Sequence, residues 1–240
     1  MKLTYIYHSG YAIEEKDFTI IIDYYKDSED NLREGIVHKK FLKNKGKLYV
    51  LSTHSHADHF NPDILKWKAI KKDITYIFSK DILDNQMAKE DDAIYLDKLE
   101  VYKDQNVIIR AFGSTDLGVS YLIHIKDKTI FHAGDLNNWH WNEESTEDEI
   151  REAEAFYQDE LNLLAANVKH IDIAMFPIDP RLGKDYMKGA EQFIDAIQIN
   201  SIAPMHFGEA YDKASAFAPY AAAKGSKAVQ WQQRGEDIEF

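Results

Sequence analysis

Ser52-Thr53-His54-Ser55-His56-Ala57-Asp58-His59 sets three histidines and an aspartate within six positions, directly after the apolar run Leu48-Tyr49-Val50-Leu51. Imidazole nitrogen is the commonest metal ligand, and a carboxylate is the next choice where no thiol is available. In an extended or looped segment, residues two apart point the same way, so His54 and His56 suit one ion together. Asp58 and His59 follow at once and reach toward a second ion beside the first. The competing reading of the stretch is a solvated polar loop at the end of a strand.

The rest of the chain decides between these readings, because a metal site needs groups from distant positions. Two further places put a polar group directly after an apolar strand. In Thr129-Ile130-Phe131-His132-Ala133-Gly134-Asp135, Gly134 permits a tight turn and Asp135 then leaves the sheet edge. In Ile202-Ala203-Pro204-Met205-His206-Phe207-Gly208, His206 stands in the same way. One such residue is ordinarily a turn or cap residue; three places of this type in one chain favour a shared site.

The chain has 240 residues and no cysteine, which excludes disulfides and thiolate ligands and leaves nitrogen and oxygen to hold any metal. The absence of cysteine also fits a reducing cytoplasm, the location expected here. Hydrophobic residues make up 45% and charged residues 29%, a globular balance. No apolar run is long enough for a membrane span, and the start of the chain reads as a strand rather than a signal core. A net charge of −12 repels phosphate backbones, so nucleic acid is a poor partner. Much of the acid lies between Glu143 and Glu160, where a solvated helix face is the simplest reading. Oligomeric state is not legible.

There is no linker and no sequence repeat, so a single domain over 1–240 is expected. Strands are predicted over 3–7, 12–15, 18–22 (closed by Asp23), 47–51, 74–78, 100–102, 107–111, 119–125, 129–131, 171–176, 201–205, 227–231 and 238–240. Residues 29–46 read as a loop with a short helix, and Asn61-Pro62 as a helix start. A long helix begins at Thr146, which with Glu149 forms a capping box, and Ile150, Ala153, Tyr157, Leu161 and Leu164 make its apolar face. Further helices are predicted over 190–197 and 212–223. Strands at both ends with helices in each half predict an α/β protein, a four-layer α/β/β/α sandwich rather than a three-layer fold.

At this point a family resemblance becomes specific. His54-Ser-His56-Ala-Asp58-His59 resembles the His-x-His-x-Asp-His signature of the metallo-β-lactamase fold hydrolases. Gly134-Asp135 is similar to their bridging aspartate turn, and Pro-Met-His206-Phe to their C-terminal ligand histidine, in the same order across residues 3–206. Tyr7-His8-Ser9-Gly10 resembles the branch that includes L-ascorbate-6-phosphate lactonase and N-acyl phosphatidylethanolamine phospholipase D-like proteins. Gly113–Leu122 and His132-Ala-Gly-Asp-Leu-Asn resemble a bacterial subgroup of metal-dependent hydrolases within it.

The resemblance implies a centre of two ions, Zn²⁺ first and Mn²⁺ or Fe²⁺ as alternatives, held by His54, His56, Asp58, His59, Asp135 and His206. One departure stands out. The superfamily supplies a further histidine in a Gly-His-Thr turn, and aligning the strand after it puts Gly113-Ser114-Thr115 there, with Ser114 at the histidine position. A serine hydroxyl is a far weaker ligand for Zn²⁺, so the ion served by His54 and His56 is expected to be weak, absent or completed differently, with His8, His132 and His140 as candidates to complete it.

The implied chemistry is hydrolysis of a small-molecule ester, lactone or phosphoester by a metal-activated water. Asp58 then either binds the second ion or orients the water as base, and His8 or His132 donates a proton to the leaving group. Ser114, Trp139, His140 and Arg181 are candidates to contact the substrate: the two tryptophans of Asn137-Asn138-Trp139-His140-Trp141-Asn142 as a wall or as packing, and Arg181 toward an anionic group or toward an acid of the protein. The competing function is a metal-binding, ligand-sensing protein without turnover, kept open by Ser114.

Overall fold

A computed structural model describes residues 1–240 as two compact units, Met1–Asp97 with Trp231–Phe240, and Lys98–Gln230. The first unit opens with a meander of β1 (Lys2–Tyr7), β2 (Gly10–Glu14) and β3 (Phe18–Ile22), followed by β4 (Lys47–Ser52), β5 (Ile74–Ser79), the short helix α1 (Lys80–Asp84) and β6 (Ile94–Leu96). Alternation along the strands puts Ile6, Ala12, Ile21, Leu48, Val50 and Phe78 into one core cluster, covered by Phe41, Ile64, Trp67 and Ile82. The residues between them, Tyr5, Tyr11, Ile13, Ile20, Tyr49 and Ile77, are buried as well, so these strands are apolar on both faces.

The second unit has the same plan. An antiparallel run of β7 (Val101–Lys103), β8 (Ile108–Phe112), β9 (Ser120–Ile125) and β10 (Lys128–His132) is followed by the long helix α2 (Glu147–Asn167), β11 (His170–Pro177), α3 (Lys188–Ala196), β12 (Gln198–Met205), α4 (Tyr211–Ser215), α5 (Ala218–Ala223) and β13 (Lys227–Ala228). The chain then returns to the first unit, where β14 (Asp237–Glu239) pairs with β1. The two sheets are ordered β14-β1-β2-β3-β4-β5-β6 and β13-β12-β11-β10-β9-β8-β7. In each, four strands run antiparallel (β14 to β3, β7 to β10), and the last of them begins a parallel set (β3 to β6, β10 to β13). The sequence shows no repeat, yet the topology repeats.

Thr146 caps α2 through the predicted box with Glu149, and Tyr157, Leu161 and Leu164 form its buried stripe, with Ile150 and Ala153 at its partly exposed end. The Phe193 ring of α3 stacks on Phe176 at 4.5 Å and on Phe131 at 5.5 Å, which seats this helix on the sheet. Several predicted elements differ in detail. The helix expected over 212–223 is broken at Ala216-Phe217, where Pro219 opens a new first turn. The strand expected over 227–231 ends at Ala228. The helix started by Asn61 is a 3₁₀ segment, Pro62–Ala69, with the Asn61 side chain accepting the Asp63 amide. The strand β6 and helix α1 had no clear sequence signal, since each spans five residues or fewer.

Candidate metal centre

In both units the chemistry-bearing residues follow the C-terminal ends of parallel strands, the place where open α/β sheets present ligands. In the first unit these are Asp23 after β3 and the His54–His59 stretch after β4; in the second they are Asp135 after β10, Asp179 after β11 and His206 after β12.

In the first unit Asp23 organises the histidine loop. Its carboxylate is fully buried and accepts the Thr53 amide at 2.7 Å, the Thr53 hydroxyl at 2.6 Å and His59 Nδ1 at 2.7 Å. The proton on Nδ1 that this bond requires leaves His59 Nε2 as a lone-pair donor. Thr53 Oγ1 lies 3.2 Å from His54 Nδ1, an acceptor that fixes the same tautomer at His54. His54 Nε2 and His56 Nδ1 then stand 3.1 Å apart. Two nitrogens about 2.0–2.1 Å from one tetrahedral Zn²⁺ lie about 3.3 Å apart, so the pair fits joint ligation. From the other side, Asp81 of α1 accepts the Ser55 amide at 2.8 Å, pinning the loop between the two histidines.

His8 completes this half. A register shift between Tyr5 and Tyr7 places it in the β1–β2 turn, where its Nε2 lies 3.2 Å from Asp58 Oδ2. The donor atoms of His8, Asp58 and His59 all fall within 4.8 Å of one another. Gly10 admits the close approach of this turn to Asp23, because a Cβ there would meet Tyr7 O at 2.9 Å and Asp23 O at 3.1 Å.

In the second unit His206 repeats the logic of His59. Its Nδ1 lies 2.9 Å from Asp179 Oδ2, and its Nε2 lies 3.5 Å from Asp135 Oδ1. Arg181 embraces the same Asp179 carboxylate through Nε and Nη2, the latter at 2.6 Å. Burial pushes the Asp179 carboxyl upward, but the hydrogen bonds from His206 and Arg181 outweigh it and bring the pKa from 3.8 down to about 2. Asp135 sits on a turn with Gly134 at φ 54, and the Trp139 indole donates to the Asp135 carbonyl at 2.8 Å while its ring stands edge-on to His206 at 5.5 Å.

Backbone strain marks the same residues. Non-glycine residues with positive φ are seven in number, and His8 (56°), Asp23 (49°) and His206 (65°) are among them. Left-handed backbone at such residues costs of order 1–3 kcal/mol and concentrates at functional sites.

The structure sorts the remaining candidates. His132 is fully buried and its Nδ1 accepts the Gly134 amide at 3.1 Å, so it anchors the aspartate turn. His140 is buried with Nδ1 accepting the Asn142 amide at 3.2 Å and Nε2 3.2 Å from the Asp185 carbonyl, which corresponds to packing of the tryptophan loop rather than to a wall against substrate. Trp139 stacks on Trp141 at 6.2 Å and stands edge-on to His206 at 5.5 Å. Arg181 takes the internal acid of its two expected partners. Ser114 is nearly buried, and its hydroxyl accepts the Asp116 amide at 3.3 Å. Sequence reasoning missed Asp23 and Asp179, which bond to His59 and His206 and obey the strand-end rule that found Asp135 and His206.

Comparison with known proteins agrees with this description. Igni18, a metallo hydrolase from Ignicoccus hospitalis, superposes with a TM-score of 0.70 at 19% identity, covering 100% of this chain and 98% of that one. The metallo-β-lactamase fold protein YhfI from Bacillus subtilis superposes with a TM-score of 0.65 at 12% identity over 99% of each chain. The fold is therefore the metallo-β-lactamase fold, in agreement with the α/β class read from the sequence. A family model for the "Beta-lactamase superfamily domain" matches residues 2–151, and the chain belongs to that superfamily. A protein from Desulforamulus reducens named "UPF0173 metal-dependent hydrolase" is 22% identical over 228 residues, 86% of this chain and 84% of its own length. No helix is long and apolar enough to cross a membrane.

Two outcomes are expected. Asp23→Asn removes the acceptor that fixes His59, and metal affinity measured by calorimetric titration with Zn²⁺ should fall about 10–100-fold; unchanged affinity would contradict the anchoring role. For Asp179, the folded pKa lies below the unfolded one, so its stabilisation is complete above pH 3.8 and lost as pH falls through about 2. In metal-free protein the gap in unfolding free energy between wild type and Asp179→Asn should be constant above that window and close within it. A gap that ignores pH would show that the carboxylate bonds contribute nothing.

Proposed function

We propose that this chain is a metal-dependent hydrolase of small molecules, with one catalytic domain formed by the whole of residues 1–240. The match to the superfamily model runs through residue 97, the boundary of the compact units, which supports a single functional body. The observation that carries the reading is His59, locked by Asp23 through Nδ1 so that Nε2 stands among the donors of His8 and Asp58. A buried carboxylate, three hydrogen bonds and a strained backbone spent on orienting one imidazole are unexpected in a plain polar loop.

The proposed ligands are His54 and His56 for one ion, Asp58, His59 and His206 for another, and Asp135 for both. Nitrogen and oxygen donors of this kind suit Zn²⁺, Mn²⁺ or Fe²⁺. Bound there, such ions supply Lewis-acid polarisation of a carbonyl or phosphoryl oxygen and a more acidic water.

The chain's own residues provide the rest. Asp58, with its side chain 36% exposed and 3.2 Å from His8, binds the second ion where two are held; where one is held, the same carboxylate is free to orient the incoming water and accept its proton. His8, 3.2 Å away and 13% exposed, is the residue we assign to return a proton to a departing alcohol. Asp179, itself bound by Arg181, accepts from His206 Nδ1 and keeps that ring in one tautomer, and the Trp139 ring beside it offers an apolar wall for the organic part of a substrate. An ester, a lactone or a phosphoester meets these requirements, since each presents a polarisable oxygen and an alkoxide leaving group. We place the protein in the cytoplasm, a setting with which a chain lacking cysteine is compatible, and we take its substrate to be a small molecule.

A panel of generic phosphodiester, lactone and ester substrates tests the proposal. At least one should be turned over by metal-loaded protein and not by chelated protein, with a loss of 10²-fold or more, about 2.7 kcal/mol of barrier, in His56→Ala. Turnover that survives His56→Ala would not come from this site.

A further inference from the structure

The first unit brings cations and aromatic rings to the edge that carries His8 and Asp58. Tyr7 ends β1, Tyr25 and Lys26 follow β3 beyond Asp23, and Arg234 comes from the segment before β14. Backbone bonds fasten these segments. The Asn61 amide donates to the Tyr24 carbonyl at 3.2 Å, and its side chain to the Tyr25 carbonyl at 2.9 Å. The Gly235 amide donates to the Tyr5 carbonyl at 2.8 Å, and the Tyr5 amide to the Glu236 carbonyl at 2.9 Å. The Tyr7 and Tyr25 rings stack at 5.9 Å and meet the His8 ring at 6.2 and 6.4 Å. The Arg234 guanidinium lies 3.9 Å from the centre of the Tyr7 ring. The Lys26 ammonium lies 4.9 Å from the centre of the Tyr25 ring and 5.8 Å from that of Tyr7.

The polar ends of this cluster are open to a ligand. Lys26 is exposed and both tyrosines are half-buried. Neither phenol hydroxyl is hydrogen-bonded within the protein, and the Lys26 ammonium pairs with no carboxylate. Arg234 differs, since its Nη1 lies 3.3 Å from Asp30, whose side chain is 96% exposed, a pair that solvent weakens. A cation over a ring face is held by the ring quadrupole without spending its N–H donors. Lys26 is thereby ordered in advance, which reduces the entropy lost when a long side chain closes on a ligand. The chain carries a net charge of −12 and repels anions at long range; two cations beside His8 offset that repulsion where it matters.

We propose that Tyr7, Tyr25 and Lys26, with Arg234 against the Tyr7 ring, form a recognition subsite for an anionic group, a phosphate or a carboxylate, that the substrate carries beside the bond to be cleaved. Lys26 supplies charge and N–H donors, the two phenols supply O–H donors, and the rings give the carbon skeleton an apolar surface. The inference rests on the hydrolase reading above and deepens it by naming a feature of the substrate.

The test uses full-length protein freed of metal by chelator and dialysis, so that it reads this subsite apart from any metal. Phenyl phosphate, benzoate and neutral benzyl alcohol are titrated into isotope-labelled wild type, Lys26→Gln and Lys26→Arg, with amide shifts followed by NMR. Both anions should move the Tyr7, Tyr25 and Lys26 amides, and the tighter of the two identifies the group the subsite prefers. Benzyl alcohol should bind at least about tenfold more weakly, and Lys26→Gln should weaken both anions by a similar factor, the effect of one hydrogen bond to a charged group. Lys26→Arg should restore most of that loss. Because Lys26 is exposed, both variants should melt with wild type, which separates lost binding from lost fold. Anion binding that Lys26→Gln leaves unchanged, shifts confined to the histidine loop, or wild type that binds neither anion would overturn the proposal. Failure of the hydrolase reading shows differently: protein that takes up no metal, yet binds both anions through Lys26, keeps the subsite and loses the reaction.

Discussion

Asp23 is fully buried, and a carboxylate in that position is tolerable only if its oxygens are engaged. Thr53 engages it twice and His59 once, and those three bonds decide where the whole histidine loop lies. The loop in turn gives His54, His56, Asp58 and His59 their directions. Asp179 plays the same part for His206 in the second unit, with Arg181 closing the outer side of the carboxylate. In both halves a donor imidazole is oriented by a carboxylate that itself touches no solvent to speak of, which makes the tautomer a property of the fold rather than of the loop.

This arrangement follows from the sheets. Within each sheet the parallel strands deliver their C-terminal ends to one edge, and β3, β4, β10, β11 and β12 are each followed by a residue of the proposed centre or of its support. The antiparallel hairpins of each unit add one turn apiece, carrying His8 in the first and the 113–119 segment in the second. The strained φ of His8, Asp23 and His206 shows that the turns are bent to aim side chains, at a cost met by the buried strands behind them.

Much of this was legible in the sequence, and for a definite reason. The proposed ligands of the first unit are neighbours along the chain, so a six-residue window held the pattern. Asp135 and His206 were found because each follows an apolar strand, the same cue in isolation. Asp23 and Asp179 obey that cue too, but an aspartate that closes a strand looks the same whether it turns the chain or holds a histidine. His140 and His132 show the converse: histidines adjacent to the motifs accept backbone amides of their own loops, and His140 also meets the Asp185 carbonyl. The repeated topology was invisible because strand order is a long-range property that residue identities do not repeat.

The most direct test of the central claim is a crystal structure of the protein grown with Zn²⁺ or Mn²⁺, with anomalous data collected at the edge of that metal. Two anomalous peaks are expected, one at the proposed ligands His54 and His56, the other at the proposed ligands Asp58 and His59. A protein whose anomalous peaks lie elsewhere, or that shows none at saturating metal, would contradict the account.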